Sequence, residues 1–341
     1  MTIPESRVAF ARRRVALPLC GSLALLLGGA GFLSLLTGPA NITPLELLKV
    51  LAGGGDEAYR AIIFEIRLPR LLLAIGVGAV LGMAGAALQG YLRNPLADAA
   101  VLGTSNAAAL GAVIALYFGF SDGFPWALPG MAIAFALLAL SFIFVLARRQ
   151  ASSASLILAG LATGTMAGAG ISLALNLSAN PFAAAEITFW LLGSLEDRSM
   201  MHVAVSLPFI LVACGVFAWM GQGLDALSLG EEAAQGMGFP LERSQMLAII
   251  GVALGVGAAV AVSGAIGFIG LVVPHLMRPF VGYRPSNLLL PSALAGALLL
   301  CVADSFVRLV PTAAELRLGV VTAFIGVPFF IYLLLGRYRM F

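Results

Sequence analysis

Lysine is almost missing from this chain: of its 19 basic residues, Lys49 alone is a lysine. A phosphate-binding loop needs G-x-x-x-x-G-K-[ST], and Lys49 sits in Leu47-Leu48-Lys49-Val50, outside any such glycine frame. Nucleotide hydrolysis by that route is excluded. Charge of either sign is scarce, at 10% of 341 residues, where an ordinary soluble domain carries about 25%. The two histidines, His202 and His275, lie far apart and form no H-E-x-x-H or similar set, so no metal site is expected. Cys20, Cys214 and Cys301 stand singly in apolar segments without CxxC spacing, which reads as buried apolar cysteine. No catalytic pair of residues occurs in the apolar runs, and the scattered arginines, at a net charge of +3, form no nucleic-acid face.

What is abundant is apolar. Hydrophobic residues make up 61% of the chain and the mean hydropathy is +1.03. A soluble globule of this size could not hide so much apolar surface. A cytosolic enzyme, a disordered chain and a secreted disulfide scaffold are all excluded, and lipid is the main solvent.

A spanning helix needs roughly 20 apolar residues. Charge-free runs cover 15–45, 71–92, 99–121, 123–147, 150–185, 199–224, 244–277, 285–303 and 318–336, each long enough to span. The run 244–277 is too long for one helix and contains Ser263-Gly264-Ala265-Ile266-Gly267, so it divides in two and the total is about ten. The run 150–185 meets Ser178-Ala179-Asn180-Pro181, a stop signal, and reads as one helix plus a loop. The apolar stretch after Arg12-Arg13-Arg14 is longer than a signal-peptide core and has no clean cleavage site, so it reads as a retained first span. With the N-terminus in the cytoplasm, twelve of the 19 basic residues fall inside, and both termini are expected there.

Several local patterns stand out. Gly160, Gly164 and Gly168 repeat every four residues, as do Gly78 with Gly82 and Gly251 with Gly255. Such faces let helices approach closely in lipid, within the chain or between subunits. Thr43-Pro44-Leu45-Glu46 carries the signals of a capped helix start, predicting a short outer-face helix near 43–52. In the cytoplasmic loop, Ser228 and Glu231 read as a capping box, Gly238 as a left-handed terminator and Pro240 as a block to resumption. A short helix near 228–238 follows, with Ala233, Ala234 and Met237 exposed. It is either a connector or a helix fitted to a partner's groove.

Longer blocks carry a resemblance. Arg67-Leu68-Pro69-Arg70, then Gly85-Ala86-Ala87-Leu88-Gln89-Gly90 and Arg93-Asn94-Pro95-Leu96-Ala97-Asp98, resemble the start of the FecCD family of ABC-importer permeases. The stretch from Glu231 to Gly238, the run from Gly264 to His275, Ala313-Ala314-Glu315-Leu316 and Gly319-Val320-Val321-Thr322-Ala323 extend it to the C-terminus. The resemblance implies an all-α polytopic fold of the type II importer, cobalamin-transporter-like kind, with residues 1–341 forming one transmembrane permease domain. It implies a homodimer in the bacterial inner membrane, two cytoplasmic ABC ATPase subunits that carry ATP and Mg, and a periplasmic substrate-binding protein. This chain itself would bind no cofactor. The cargo implied is an iron chelate (haem or ferric siderophore), with cobalamin the alternative.

Residue by residue, the resemblance places a cytoplasmic gate at Asn94 and Leu96 and at Ser152, Ser153 and Ala154, although serines at a helix start are also ordinary caps. It makes Leu229, Glu231, Glu232, Ala233, Ala234, Met237 and Gly238 the ATPase-coupling helix. Arg67, Arg70 and Arg308 would dock the binding protein; anchoring at lipid headgroups is the competing role for the first two. Arg317 departs from the family's usual Glu-Leu-Pro-Ile-Gly, and His275 belongs to a family structural block. An ion-coupled carrier is the other class to weigh. It would need an ionisable group deep in the membrane, and Asp304, near a helix end, is the nearest candidate.

Overall fold

A computed structural model describes residues 5–124, 126–147, 153–178, 181–312 and 315–337, which are helical with no strand among them. The first half runs through α1 (Glu5–Leu36), α2 (Pro44–Leu51), α3 (Glu57–Ala61), α4 (Leu68–Tyr91), α5 (Thr104–Tyr117), α6 (Phe120–Gly123) and α7 (Ala127–Ala147). The second half holds α8 (Ser153–Asn176), α9 (Pro181–Leu191), α10 (Met200–Leu227), α11 (Glu231–Gly236), α12 (Leu241–Ser263), α13 (Ile269–Val281), α14 (Pro285–Leu309) and α15 (Leu318–Arg337). Among the described residues, seven helical stretches are long and apolar enough to cross a membrane, and shorter apolar helices lie at 104–117, 269–281 and 318–332. Together they supply the ten segments expected from the apolar runs.

One rod dominates the centre. A π-helical turn, Ile62–Arg67, joins α3 to α4, so that 57–91 is continuous. The turn lies just ahead of Pro69, whose ring would clash with the carbonyl four residues earlier in a regular helix. A widened turn relieves that clash. Helix α4 is apolar all round and buried on nearly every side, as such a helix must be. It crosses α14 at backbone contact: a Cβ on Gly78 or Gly82 would strike the carbonyl of Gly296 or Ser292. A Cβ on Gly85 would likewise strike the Gly270 backbone of α13. Gly251 and Gly255 make room for Phe217 and Val80. These small-residue faces therefore serve packing within the chain.

Three elements differ from the apolar-run reading. Helix α5 starts only at Thr104, because residues 92–103 dip into the bundle in irregular conformation. Gly103, at φ 69°, is seated there so closely that a Cβ would lie 2.6 Å from the nitrogen of Gly164. Gly160 meets Leu102 in the same way, so two glycines of the α8 repeat hold this loop, while Gly168 has open space. The run 244–277 divides at Gly264 and Phe268, both at φ 68°, leaving α13 only 13 residues long. After α8 the chain does not stay a loop: Pro181 begins α9. Asn-Pro ends one helix, and proline equally suits the first position of the next.

The two ends of the bundle are distinct. One end, called the α2 end, gathers 37–67, 192–199, 310–312 and 315–317. The other, the α11 end, gathers 92–98, 225–243 and 282–285.

Candidate functional site

At the α2 end, α1 stops in Leu35-Leu36-Thr37 with no basic residue in its last turn. Its terminal carbonyls need donors, as every helix end does. Two arginines from elsewhere supply them. Arg67 donates from Nη1 to Leu35 O (2.6 Å) and from Nη2 to Ala40 O (2.5 Å). Arg308 donates from Nη1 to Ser34 O (3.1 Å) and Thr37 O (2.9 Å), and from Nη2 to Ser34 Oγ (2.6 Å). Gly38, at φ 149°, lets the Arg67 guanidinium pass; a Cβ there would come within 3.0 Å of Nη2.

Arg70 completes the cluster. Its Nε donates to Asp304 Oδ1 (2.8 Å), Nη1 to Glu315 Oε2 (3.0 Å), and Nη2 also meets Glu315. Asp304 is fully enclosed and pairs on its other side with Arg308 (3.1 Å). Arg70 and Arg308 thus share the two carboxylates, while Arg67 is held by backbone carbonyls alone. A second pair, Arg317 with Glu196 (2.7 Å), joins the start of α15 to the loop before α10, and the Arg317 guanidinium lies 5.6 Å from the Phe189 ring centre. A cavity of about 740 Å³ opens here, lined by Arg67, Arg70, Arg198 and Arg308 and by Glu65, Glu196, Asp197 and Glu315.

The structure therefore brings together the three arginines picked from the sequence, but it turns each fork inward. Arg67 is 4% exposed and Arg70 7%. Neither lies at a solvated rim in the chain by itself, and all three are bonded within it. Glu315 is the more open of the two carboxylates, with 18% of its side chain exposed against none for Asp304. Asp304, the candidate for an ion-coupled carrier, is held between two guanidinium groups.

At the α11 end, the side-chain Oδ1 of Asn94 accepts from the backbone N–H of Leu96 (2.9 Å), folding the 94–96 turn, and both residues are half-buried. Ser152 lies outside the described residues; Ser153 opens α8, with Ala154 next. Helix α11 projects from the end of α10. Leu229, Glu231, Glu232, Ala233 and Met237 are exposed, and Gly238 takes φ 84°, the left-handed stop anticipated from the sequence.

Two expectations for this helix need correcting. The Ser228–Glu231 capping box does not form: Ser228 still ends α10 and donates to Asp225 O (2.6 Å), while Gly230, at φ 111°, holds the N-cap position. Ala234 is not exposed but fully buried, because its side of this one-and-a-half-turn helix faces the bundle core.

Sequence reasoning missed the connections around α11. Glu231 pairs with Arg93 (3.3 Å), linking α11 to the 94–96 turn. Asp225 binds Arg284 (2.6 Å) and accepts from the backbone N–H (2.9 Å) and Oγ (2.7 Å) of Ser286, capping α14. Gln89 donates to Gly270 O (3.1 Å) and accepts from Arg278 (2.6 Å). These partners lie 59 to 189 residues apart, so no local spacing could have revealed them.

Helices of this length and polarity, crossing at glycines and ending in two polar faces of different character, define a multi-pass membrane permease. The chain matches the FecCD transport family over residues 25–336. It is 39% identical over 294 residues to the uncharacterized ABC transporter permease protein YvrB of Bacillus subtilis, covering 84% of this chain and 82% of that one. It is 38% identical over 323 residues to the vitamin B12 import system permease protein BtuC of Salmonella paratyphi A, covering 93% and 95%. A solved inward-facing structure, described as a putative metal-chelate type ABC transporter, superposes with a TM-score of 0.83 at 30% identity over 94% of this chain and 99% of that one. The chain belongs to the FecCD transport family of ABC importer permeases.

Proposed function

We propose that this chain is the membrane path of a binding-protein-dependent importer for a metal chelate, working as a pair with a second copy of itself. Two ATPase subunits, carrying ATP and Mg, sit on the α11 end, and a soluble binding protein sits on the α2 end. That orientation places both termini in the cytoplasm and the protein in a bacterial inner membrane. The observation that carries the reading is α11. It is a short helix standing out from a lipid-embedded bundle, with Leu229, Ala233 and Met237 free for a groove and Glu231 tied by Arg93 to the turn at Asn94 and Leu96. Force applied to α11 reaches that turn through a side-chain contact, which suits a gate made of Asn94, Leu96 and the Ser152–Ser153 segment. The missing phosphate loop accounts for a motor on another chain.

The α2 end supplies the other contact. The open cavity there is lined by four arginines and four carboxylates, a charged mouth that suits ion pairing with the binding protein. Arg67, Arg70 and Arg308 form the base of that contact. For the cargo, an iron chelate such as haem or a ferric siderophore is the proposal; cobalamin is the alternative supported by the BtuC relatives. An ion-coupled carrier finds less support, since Asp304 is locked between Arg70 and Arg308.

The test is uptake into proteoliposomes holding this chain, its ATPase subunit and its binding protein. Haem, a ferric siderophore and cobalamin are offered in turn, with proton and sodium gradients collapsed. ATP-dependent uptake of an iron chelate is expected. Uptake of cobalamin alone would replace the cargo, and gradient-driven uptake without the ATPase subunit would overturn the importer reading. The chain by itself should hydrolyse no ATP.

A further inference from the structure

Under α9, a cleft of about 550 Å³ separates that helix from the ends of α7, α10 and α12. Its apolar lining comes from Ile187, Val205, Ala261 and Val262 with the Trp190 indole. Glu186, Arg198 and His202 line the same space. Arg198 also lines the cavity at the α2 end, whereas Glu186 and His202 belong to neither that cavity nor the α11 contacts.

Arg198 is the informative residue. It sits in the loop before α10, next to Asp197, which adopts the left-handed φ of 55°. Its Nε is buried with no hydrogen-bond acceptor among the described residues. The nearby Glu196 carboxylate is already bound by Arg317 at 2.7 Å, and burial holds the Arg198 guanidinium below its ordinary pKa. A cationic group held partly out of water without a paired carboxylate is costly, and because Arg198 lines the cleft an oxyanion entering it would offset that charge. A second donor is at hand. The backbone N–H of Ser199 donates to His202 Nδ1 (3.1 Å), which places the proton of the neutral ring on Nε2. On α9, the exposed carboxylate of Glu186 offers the opposite charge.

The level of the cleft says what such a ligand is attached to. It lies where α10 begins, at Met200, and where α12 ends, at Ser263. Met200, Met201, Phe182 and Phe189 are exposed around it. Ends of spanning helices with exposed aromatics lie at the bilayer interface, where lipid head groups sit. Its volume falls in the range of small-molecule sites, enough for a head group and the first part of one acyl chain.

We propose that this cleft binds an aminophospholipid. The phosphate accepts from Arg198 and His202, the ammonium faces Glu186, and one acyl chain lies along Trp190, Ile187 and Val205. A zwitterion matches the paired charges of the wall. A purely anionic head would leave Glu186 beside a like charge, and a trimethylated ammonium could not donate to it. The proposal does not depend on which cargo the permease carries.

The experiment uses the purified full-length chain in detergent, titrated with phosphatidylethanolamine, phosphatidylglycerol or phosphatidylcholine of identical acyl chains and read by native mass spectrometry. Phosphatidylethanolamine should bind at least five-fold more tightly than the other two. Arg198→Gln should weaken it about ten-fold, which is about 1.4 kcal/mol. Glu186→Gln, at an exposed position, should erase the preference among the three lipids while phosphate binding persists. Phosphatidylethanolamine brominated in its acyl chain should quench tryptophan emission in the wild type and lose most of that effect in Trp190→Phe. Equal affinity for the three lipids in the wild type would overturn the proposal. So would unchanged binding to a normally folded Arg198→Gln chain, or equal binding of glycerophosphoethanolamine, which has no acyl chains and would mark a site for a soluble phosphate.

Discussion

A single carboxylate in the loop entering the bundle shows how much this protein's stability depends on where a charge is placed. Asp98 is buried, its Oδ1 so close to Gly270 that a Cβ on that glycine would strike it. Burial pushes its carboxyl up to about 6, against the opposing pull of the Ala99 and Ala100 backbone N–H groups. The folded state therefore holds a proton between roughly pH 4 and 6 that the unfolded chain has released. The ionised form is penalised above pH 6, and stability rises as pH falls through 6 until both states are protonated. Two pKa units correspond to about 3 kcal/mol. Asp98→Asn, which keeps an acceptor oxygen for the two N–H groups, should raise the thermal midpoint in detergent at pH 7.5. It should also flatten the dependence between pH 5 and 7. An unchanged midpoint at pH 7.5 would show that the carboxylate is not under this strain. The sequence pointed to this neighbourhood only through the Arg93–Asp98 block. Asp98 lies 172 positions from Gly270, and no spacing rule connects them.

At the scale of elements, legibility followed the kind of force involved. Long apolar runs broken by charge reveal spanning helices because bilayer thickness fixes their length. The same runs could not show that α5 and α13 are short. Those limits come from backbone contacts with distant helices, Gly103 on Gly164 and Gly85 on Gly270. The arginines at 67, 70 and 308 were legible as a group, but not their inward direction, which Asp304, Glu315 and the open end of α1 impose. Helix α11 was legible as an element, with Ala233 and Met237 rightly expected to be exposed; Ala234 alone was placed on the wrong side, and that error has a direct test. Ala234 is fully buried and Ala233 is exposed. Ala234→Arg should place an unpaired charge against the core and cost about 3–5 kcal/mol of fold stability. Ala233→Arg should leave the thermal midpoint within about 0.5 kcal/mol of wild type while weakening association with the ATPase subunit. Thermal melts and co-purification of the two variants separate these effects. Equal loss of stability in both would mean that α11 has no free face for a partner.

At the scale of the whole molecule, the pairing proposed above needs a lipid-facing surface that meets the second copy. Large exposed apolar side chains do not identify it, because in a bilayer such residues need no partner. Helix α8 offers a better criterion. Its glycine repeat divides by use: Gly160 and Gly164 are filled by Leu102 and Gly103, whereas a Cβ on Gly168 would meet nothing within 4 Å. On the same face, Leu161, Thr165 and Ser172 are exposed. A face of small residues left open is the pattern by which helices approach closely across an interface in lipid. Gly168→Leu is consequently a clean probe. The added side chain finds free space within the chain, so folding should survive, and leucine is the better helix former by close to 1 kcal/mol. If α8 faces its counterpart in the pair, the same side chain must be accommodated twice across the two-fold axis, and the helices are forced apart. Light scattering of the protein–detergent complex should then show a dimer for the wild type and a monomer for Gly168→Leu, with equal thermal midpoints for the two separated chains. A dimer that persists in the variant would move the interface away from this face of α8, and α15, with Phe324, Ile331 and Tyr332 exposed, would be the next surface to probe.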